Sequence, residues 1–287
     1  MAGAVTYLMN TSELMPLIAR EGMINVSYLI IKYGGSVVDK LPSEFYQKLA
    51  VIQKYYGIKP ILVHGGGPMI SSQLKQMDVT TTFVDGLRVT TDEVLDVVEM
   101  VLSGSINKRI VRQLHEHDIK AIGMSGVDGH LLQAEPVKEF RQIGYVGQVN
   151  QVNVSLLKTL LEQEYVPVIS PLAIGAKQQR YNVNADTAAS AIASALSAPL
   201  CFISDIPGIC VDDQVIHSAD QMTINRLIDS QTIYGGMIPK VKAALNALET
   251  GVPEVAILDG MNPASLEAFV NGECCGTRIK LKEVSHV

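Results

Sequence analysis

Six short apolar runs recur along the chain: "YLIIK" at 28–32, "PILV" at 60–63, "KAIG" at 120–123, "VPVIS" ending at Ser170, "LCFIS" at 200–204 and "EVAIL" at 254–258. Several are continuous rather than alternating, the pattern of strands buried on both faces of a parallel sheet. Helix starts separate them. Pro42 and Pro68 stand where proline is favoured at a first helical position, Asn262 precedes Pro263 as a cap, and Thr91 precedes Asp92 and Glu93. This strand-helix alternation predicts an α/β fold, a three-layer αβα sandwich with a mostly parallel central sheet. Ligands in such sheets bind beyond the carboxyl ends of the strands, which directs attention to the loops that follow them.

At 287 residues the chain fits about two ordinary domains or one large α/β unit. The net charge of −6 and the lack of a Lys/Arg run exclude the electrostatic footprint of a nucleic-acid binder, so an anionic ligand must be gripped locally. Cys201, Cys210, Cys274 and Cys275 have no CxxC spacing, and such usage suits a reducing cytoplasm. The most apolar long window, 188–211, is broken by Ser190, Ser194, Ser197, Pro199 and Asp205, so no membrane span is expected. Residues 1–23 read as a leader, either a short amphipathic helix with Leu14, Leu17 and Ile18 on one face or an extension before an internal start at Met23. The polar stretch "AIGAKQQRY", 173–181, reads as a loop and gives a division into lobes 24–175 and 176–287.

Three strand ends carry glycine: Gly34 and Gly35, then Gly65, Gly66 and Gly67 directly before a helix, then Gly123, Gly126 and Gly129. Glycine lets the backbone approach a ligand, and a following helix offers unpaired N–H groups to an anion; each loop is also compatible with a plain tight turn. Neither GxxxxGK[ST] nor GxGxxG follows these strands in working form, which disfavours P-loop and dinucleotide readings. Lys32 leaves a buried strand beside Gly34. Lys240 lies in the first turn of a helix beginning near Pro239, the end whose partial positive charge disfavours a cation. Two lysines so placed suggest a phosphoryl group between them, while Lys242 faces elsewhere. Asn184 can cap the helix that carries Asp186 in its first turn, an arrangement an ordinary dipole-matched cap would also show. His64 reads as a turn-stabilising histidine, His115 and His117 lie at a helix end, and no histidine or metal site is assigned to the chemistry.

The set "KYGG", "HGGGP", "DGLRVTT", "YNVNADTAA", "ISDIPGI" and "GGMIPKV", in this order, resembles the amino-acid kinase superfamily and, within it, the N-acetylglutamate kinases, from about Ile24 to Ile279. The resemblance implies the carbamate kinase-like fold and transfer of the γ-phosphoryl of ATP, carrying Mg2+, to the side-chain carboxylate of N-acetyl-L-glutamate in arginine biosynthesis. It implies that Lys32 and Lys240 stabilise the phosphoryl group in flight and that Asp186 holds both lysines. Gly34, Gly35 and Gly66 would offer N–H groups to the phosphoryl and acceptor. Gly66, Gly67, Arg88 and Asn182 would bind the acceptor, and Asp205 would lie near the ribose or adenine. A homodimer through the acceptor lobe is implied too. Relatives commonly carry Lys where this sequence has Val127, and its leader differs from the N-terminal helix of arginine-inhibited hexameric members. Competing expectations are a kinase for a longer acceptor such as N-acetylaminoadipate, or a non-catalytic member that partners a nitrogen-signalling protein.

Overall fold

The computed structural model describes residues 27–34, 37, 40–138, 142–212, 214–234 and 237–281. The leader and Gly35 therefore lie outside the described residues, as do Gly235 and Gly236.

Each apolar run forms a strand of one sheet: β1 (Tyr28–Tyr33), β2 (Lys59–His64), β3 (Ala121–Ser125), β4 (Val166–Ser170), β5 (Leu200–Ser204) and β7 (Val255–Asp259), joined by two short strands, β6 (Ser218–Ala219) and β8 (Thr277–Ile279). The eight strands lie in the order β6-β8-β7-β5-β1-β2-β4-β3. All neighbours run parallel except β7 and β8. Alternate residues of the inner strands feed two separate cores. Leu29, Ile31 and Tyr33 face one, and Ile30, Ile61 and Val63 face the other.

The first core is covered by α1 (Ser43–Tyr55), α2 (Gly67–Gln76), α3 (Asp92–Glu99), α4 (Asn107–His115) and α9 (Ser265–Val270). The second lies under α5 (Val154–Glu162), α6 (Ala185–Leu196), α7 (Gln221–Asp229) and α8 (Met237–Glu249). The three layers are those the alternation predicts. In α6 the run of small residues buries Ala188, Ala189, Ser190 and Ala193, so this helix packs closely on the sheet.

The helix starts sharpen the reading. Thr91 caps α3 by accepting from Val94 N at 3.3 Å. Pro42 is the cap of α1 rather than its first residue, and Asn262, three residues ahead of α9, closes a turn by accepting from Ala264 N at 3.1 Å, which leaves Ala264 as the cap. Helix α8 starts at Met237, which leaves Pro239 and Lys240 inside its first turn.

The stretch 173–181 is not a loop: it contains parts of two antiparallel strands, Leu172–Ile174 and Arg180–Val183, joined by a short turn. With Leu132–Pro136 and Val146–Val152 they close a small four-stranded barrel beside the main sheet. Arg180 ties this barrel to α3 through Asp96 (2.8 Å) and Glu99.

Candidate active site

Strands β1 and β5 are neighbours, and the chain leaves β1 toward β2 on one side of the sheet and β5 toward β7 on the other, so the connections diverge between them. A crevice opens at such a switch point, beyond the carboxyl ends of the strands. Lys32, Gly34, Asp186, Phe202, Ser204 and Lys240 line a cavity there.

Lys32 leaves β1 toward α6, and its Nζ lies 2.5 Å from Asp186 Oδ1 and 5.9 Å from the centre of the Phe202 ring. The Asn184 cap positions that carboxylate by accepting from Asp186 N at 2.8 Å and Thr187 N at 3.3 Å. Lys240 reaches in from α8. Its Nζ donates to Ser204 Oγ at 2.5 Å and stands 3.6 Å from Asp205 Oδ1. Asp186 is therefore seen with Lys32, and the described partners of Lys240 are Ser204 and Asp205. Asp205 lies beside Lys240; its own backbone N–H and then the Lys240 ammonium hold its carboxyl below the usual carboxylate range.

Next to this cavity, though not among its lining residues, a second wall is built at the end of β2, whose His64 is paired with Tyr33 at the end of β1. Gly66 caps α2 from an extended conformation, and a Cβ there would collide with Ile106 and Leu102, whereas one on Gly67 would meet open space. The two adjacent glycines thus serve different ends: Gly66 admits a neighbouring helix, and Gly67 leaves room before the helix N-terminus. Arg88, in the short strand Leu87–Arg88, donates through Nη2 to Gly67 O at 3.1 Å and Ser71 Oγ at 2.7 Å, and stacks 4.6 Å over the Phe83 ring. Its Nη1 is buried with no hydrogen-bond partner among the described residues, so one arm of the fork is left for an acceptor. Asn182 donates to Thr90 Oγ1 at 3.1 Å, and Thr90 Oγ1 donates to the backbone carbonyl of Arg88 at 2.8 Å, which joins the barrel to the strand that carries Arg88.

Ser71, Thr90 and Ser204 touch the candidate site residues without having been assigned a role from the sequence, although Thr90 lies within "DGLRVTT". Ser204 sits within "ISDIPGI", and its place as the last residue of a buried strand beside Asp205 was the available signal. Val127 is partly buried against the apolar core, so it brings no charge to the crevice. His115 and His117 end or follow α4 and pair locally, His115 with Ala121 O at 3.1 Å and His117 by stacking on Tyr46. Among the described residues, no group of three or more His, Cys, Asp or Glu side chains is placed to hold a metal ion, and no helix is long and apolar enough to cross a membrane.

Two ammonium groups, those of Lys32 and Lys240, line one cavity with Gly34 at the switch point, an arrangement that suits an anion such as a phosphoryl group. The sequence agrees: it matches the Amino acid kinase family over residues 27–259, and the chain belongs to that family. Among its curated relatives, the acetylglutamate kinase of Geobacillus kaustophilus is 49% identical over 257 residues, covering 89% of this chain and 97% of the relative. That of Oceanobacillus iheyensis is 44% identical over 263 residues, covering 90% and 99%. A solved structure of N-acetylglutamate synthase from Neisseria gonorrhoeae, complexed with coenzyme A and N-acetyl-glutamate, shares the fold with a TM-score of 0.77 at 20% identity, over 89% of this chain and 60% of that one. Carbamate kinase from Giardia shares it with a TM-score of 0.65 at 17% identity, over 88% and 98%.

Proposed function

We propose that the protein is an ATP-dependent phosphotransferase that moves the γ-phosphoryl group onto the side-chain carboxylate of N-acetyl-L-glutamate. The observation that carries this is the convergence of Lys32 and Lys240, from opposite sides of the β1/β5 crevice, on one cavity. Donor and acceptor are both anionic, and their repulsion is offset by two fixed cations in a partly water-excluded site.

In the reaction, the bond from γ-phosphorus to the β-bridging oxygen breaks and a bond to a carboxylate oxygen forms, giving an acyl phosphate and ADP. The acceptor carboxylate is ionised near neutral pH and carries no proton, so no general base is required. Asp186 accordingly acts by holding Lys32. Lys32 meets the phosphoryl from the acceptor side and Lys240 from the nucleotide side, where Ser204 and Asp205 hold it. Gly34, Gly35 and Gly66 offer backbone N–H groups to the phosphoryl and the acceptor. Arg88 takes the acceptor's α-carboxylate with its free Nη1, and Gly67 and Asn182 complete the pocket. Magnesium fits as a passenger on the triphosphate, where it supplies neutralisation of the phosphate oxygens. The same reading includes an acceptor lobe at 24–175, a nucleotide lobe at 176–287, a cytoplasmic location and a homodimer through the acceptor lobe.

The test is ADP release with MgATP and N-acetyl-L-glutamate in the presence of hydroxylamine, which traps an acyl phosphate as its hydroxamate. Turnover with trapped product supports the assignment. A higher kcat/KM for N-acetylaminoadipate would reassign the acceptor, and ATP binding without turnover on either acceptor would point to a non-catalytic member of the fold.

A further inference from the structure

Between α3 and α4 the helix continues as a π-helical segment, Met100–Ile106. Such segments shift the register of the side chains that follow them and often mark functional sites. The residue that follows this one is Asn107, fully buried against the sheet. Its Nδ2 lies 2.8 Å from Val168 O, 3.3 Å from Met124 O and 3.2 Å from His64 Nε2. Backbone carbonyls can only accept, so the atom facing them is the amide nitrogen. Asn107 Oδ1 meanwhile accepts from Lys108 Nζ at 3.1 Å.

Asn107 Nδ2 has two hydrogens for these three acceptors, one for Val168 O and one shared between Met124 O and His64 Nε2, and facing that donor His64 Nε2 is the unprotonated nitrogen. The ring hydrogen therefore sits on Nδ1, which donates to Gly65 O at 3.1 Å. The Gly65 N–H is committed as well, donating to Tyr33 O at 3.2 Å. Peptide bonds among the described residues are trans, and across a trans peptide the carbonyl and the following N–H point in opposite directions. Holding the Gly65 carbonyl toward His64 thus turns the Gly66 N–H away from the ring, at the start of α2 where helix N–H groups have no carbonyl to receive them.

We propose that Asn107 and His64 are positioning residues that fix the Gly65–Gly66 peptide and so aim the Gly66 N–H at the transferred phosphoryl group. The proposal deepens the kinase reading above and rests on it for the identity of the anion. Burial supports it by pushing the His64 pKa from 6.5 down to about 4, with Lys108 as a charged neighbour acting in the same direction, so the ring stays neutral and able to accept from Asn107.

The test uses the full chain. In protein labelled with 15N-histidine, His64 is expected as the neutral Nδ1–H tautomer at neutral pH, and Asn107→Ser is expected to release it into a tautomer mixture. An Nε2–H tautomer, or an imidazolium at neutral pH, would overturn the relay. For kinetics, His64→Asn places an amide nitrogen near the Nδ1 position and keeps the donor to Gly65, whereas His64→Gln reaches the Nε2 position and loses it. A small misplacement of a reacting group can cost about 10²-fold, so kcat of His64→Gln should fall roughly 10–100-fold with KM for ATP little changed. His64→Asn should stay within about threefold of the parent. Both variants lose thermal stability, so equal kcat in the two folded proteins would reduce the pair to a structural role. A parent enzyme without turnover would refute the kinase reading, and the tautomer of His64 would then decide the relay by itself.

Discussion

The two walls of the crevice are built in different ways. On the acceptor side Arg88 is only 6% exposed, stacked on Phe83 and bonded to Ser71 and Gly67. On the phosphoryl side the Lys240 and Asp205 side chains are 36% and 45% exposed and meet at 3.6 Å. One wall is closely packed, and its buried Arg88 Nη1 has no hydrogen-bond partner among the described residues, which on the proposed function is the place for a carboxylate. The other is held by contacts that an incoming triphosphate can displace, since exposed ion pairs contribute little. Binding specificity should therefore reside in the buried wall and rate in the open one.

The strongest challenge to this contrast is Lys240→Ala. Removing one preorganised charge donor typically costs about 10²–10³ in rate, so kcat should fall by that much while circular dichroism and Tm show an intact fold. Parent-like turnover would remove Lys240 from the chemistry. On the buried wall, Arg88→Lys keeps the charge but loses the planar fork, and should raise KM for the acceptor roughly 10–100-fold with a smaller change in kcat. If kcat fell and KM did not, the division of labour between the walls would be wrong.

A third expectation concerns the floor of the buried wall. The folded protein binds a proton at His64 only near pH 4, against 6.5 for an ordinary histidine. Its contribution to stability is present above pH 6.5 and is lost as pH falls toward 4, by roughly 3 kcal/mol in total. Denaturant unfolding across this range should show a shallower acid loss in His64→Asn than in the parent, and identical slopes would refute it. The smallest effect belongs to Lys242→Ala. This lysine is exposed on α8, and its removal should change stability by less than about 0.5 kcal/mol and leave initial rates unaltered.

The sheet was legible because its inner strands are buried on both faces: runs such as "LCFIS" are continuously apolar, too short for a helix and bounded by Pro199 and Asp205, and strand β5 matches that run residue for residue. The barrel was not. Its strand Val146–Val152 mixes Gln, Asn and Val, and Arg180–Val183 is polar enough to pass for a linker, because closure of a small barrel asks little apolar surface of each strand. Within the site, glycine pairs and strand-end lysines carried the signal only as a set, since each glycine loop alone is compatible with a plain tight turn. Partners came out only in three dimensions. Ser204 lies 36 residues from Lys240, and Asn107 lies 43 residues from His64, distances over which no local pattern operates. The π-helical segment was hidden for another reason: "MVLSGSI" has an ordinary composition, and its Leu102 and Ile106 side chains come close to Gly66, far away in sequence.

That packing also constrains descent. With the side-chain ends of Ile106 and Leu102 occupying the place of a Cβ at position 66, any larger residue there obliges those two side chains to swing aside. Loop and helix are thus coupled in descent, and a residue larger than glycine at position 66 should be accepted more readily in a background where Leu102 or Ile106 is smaller.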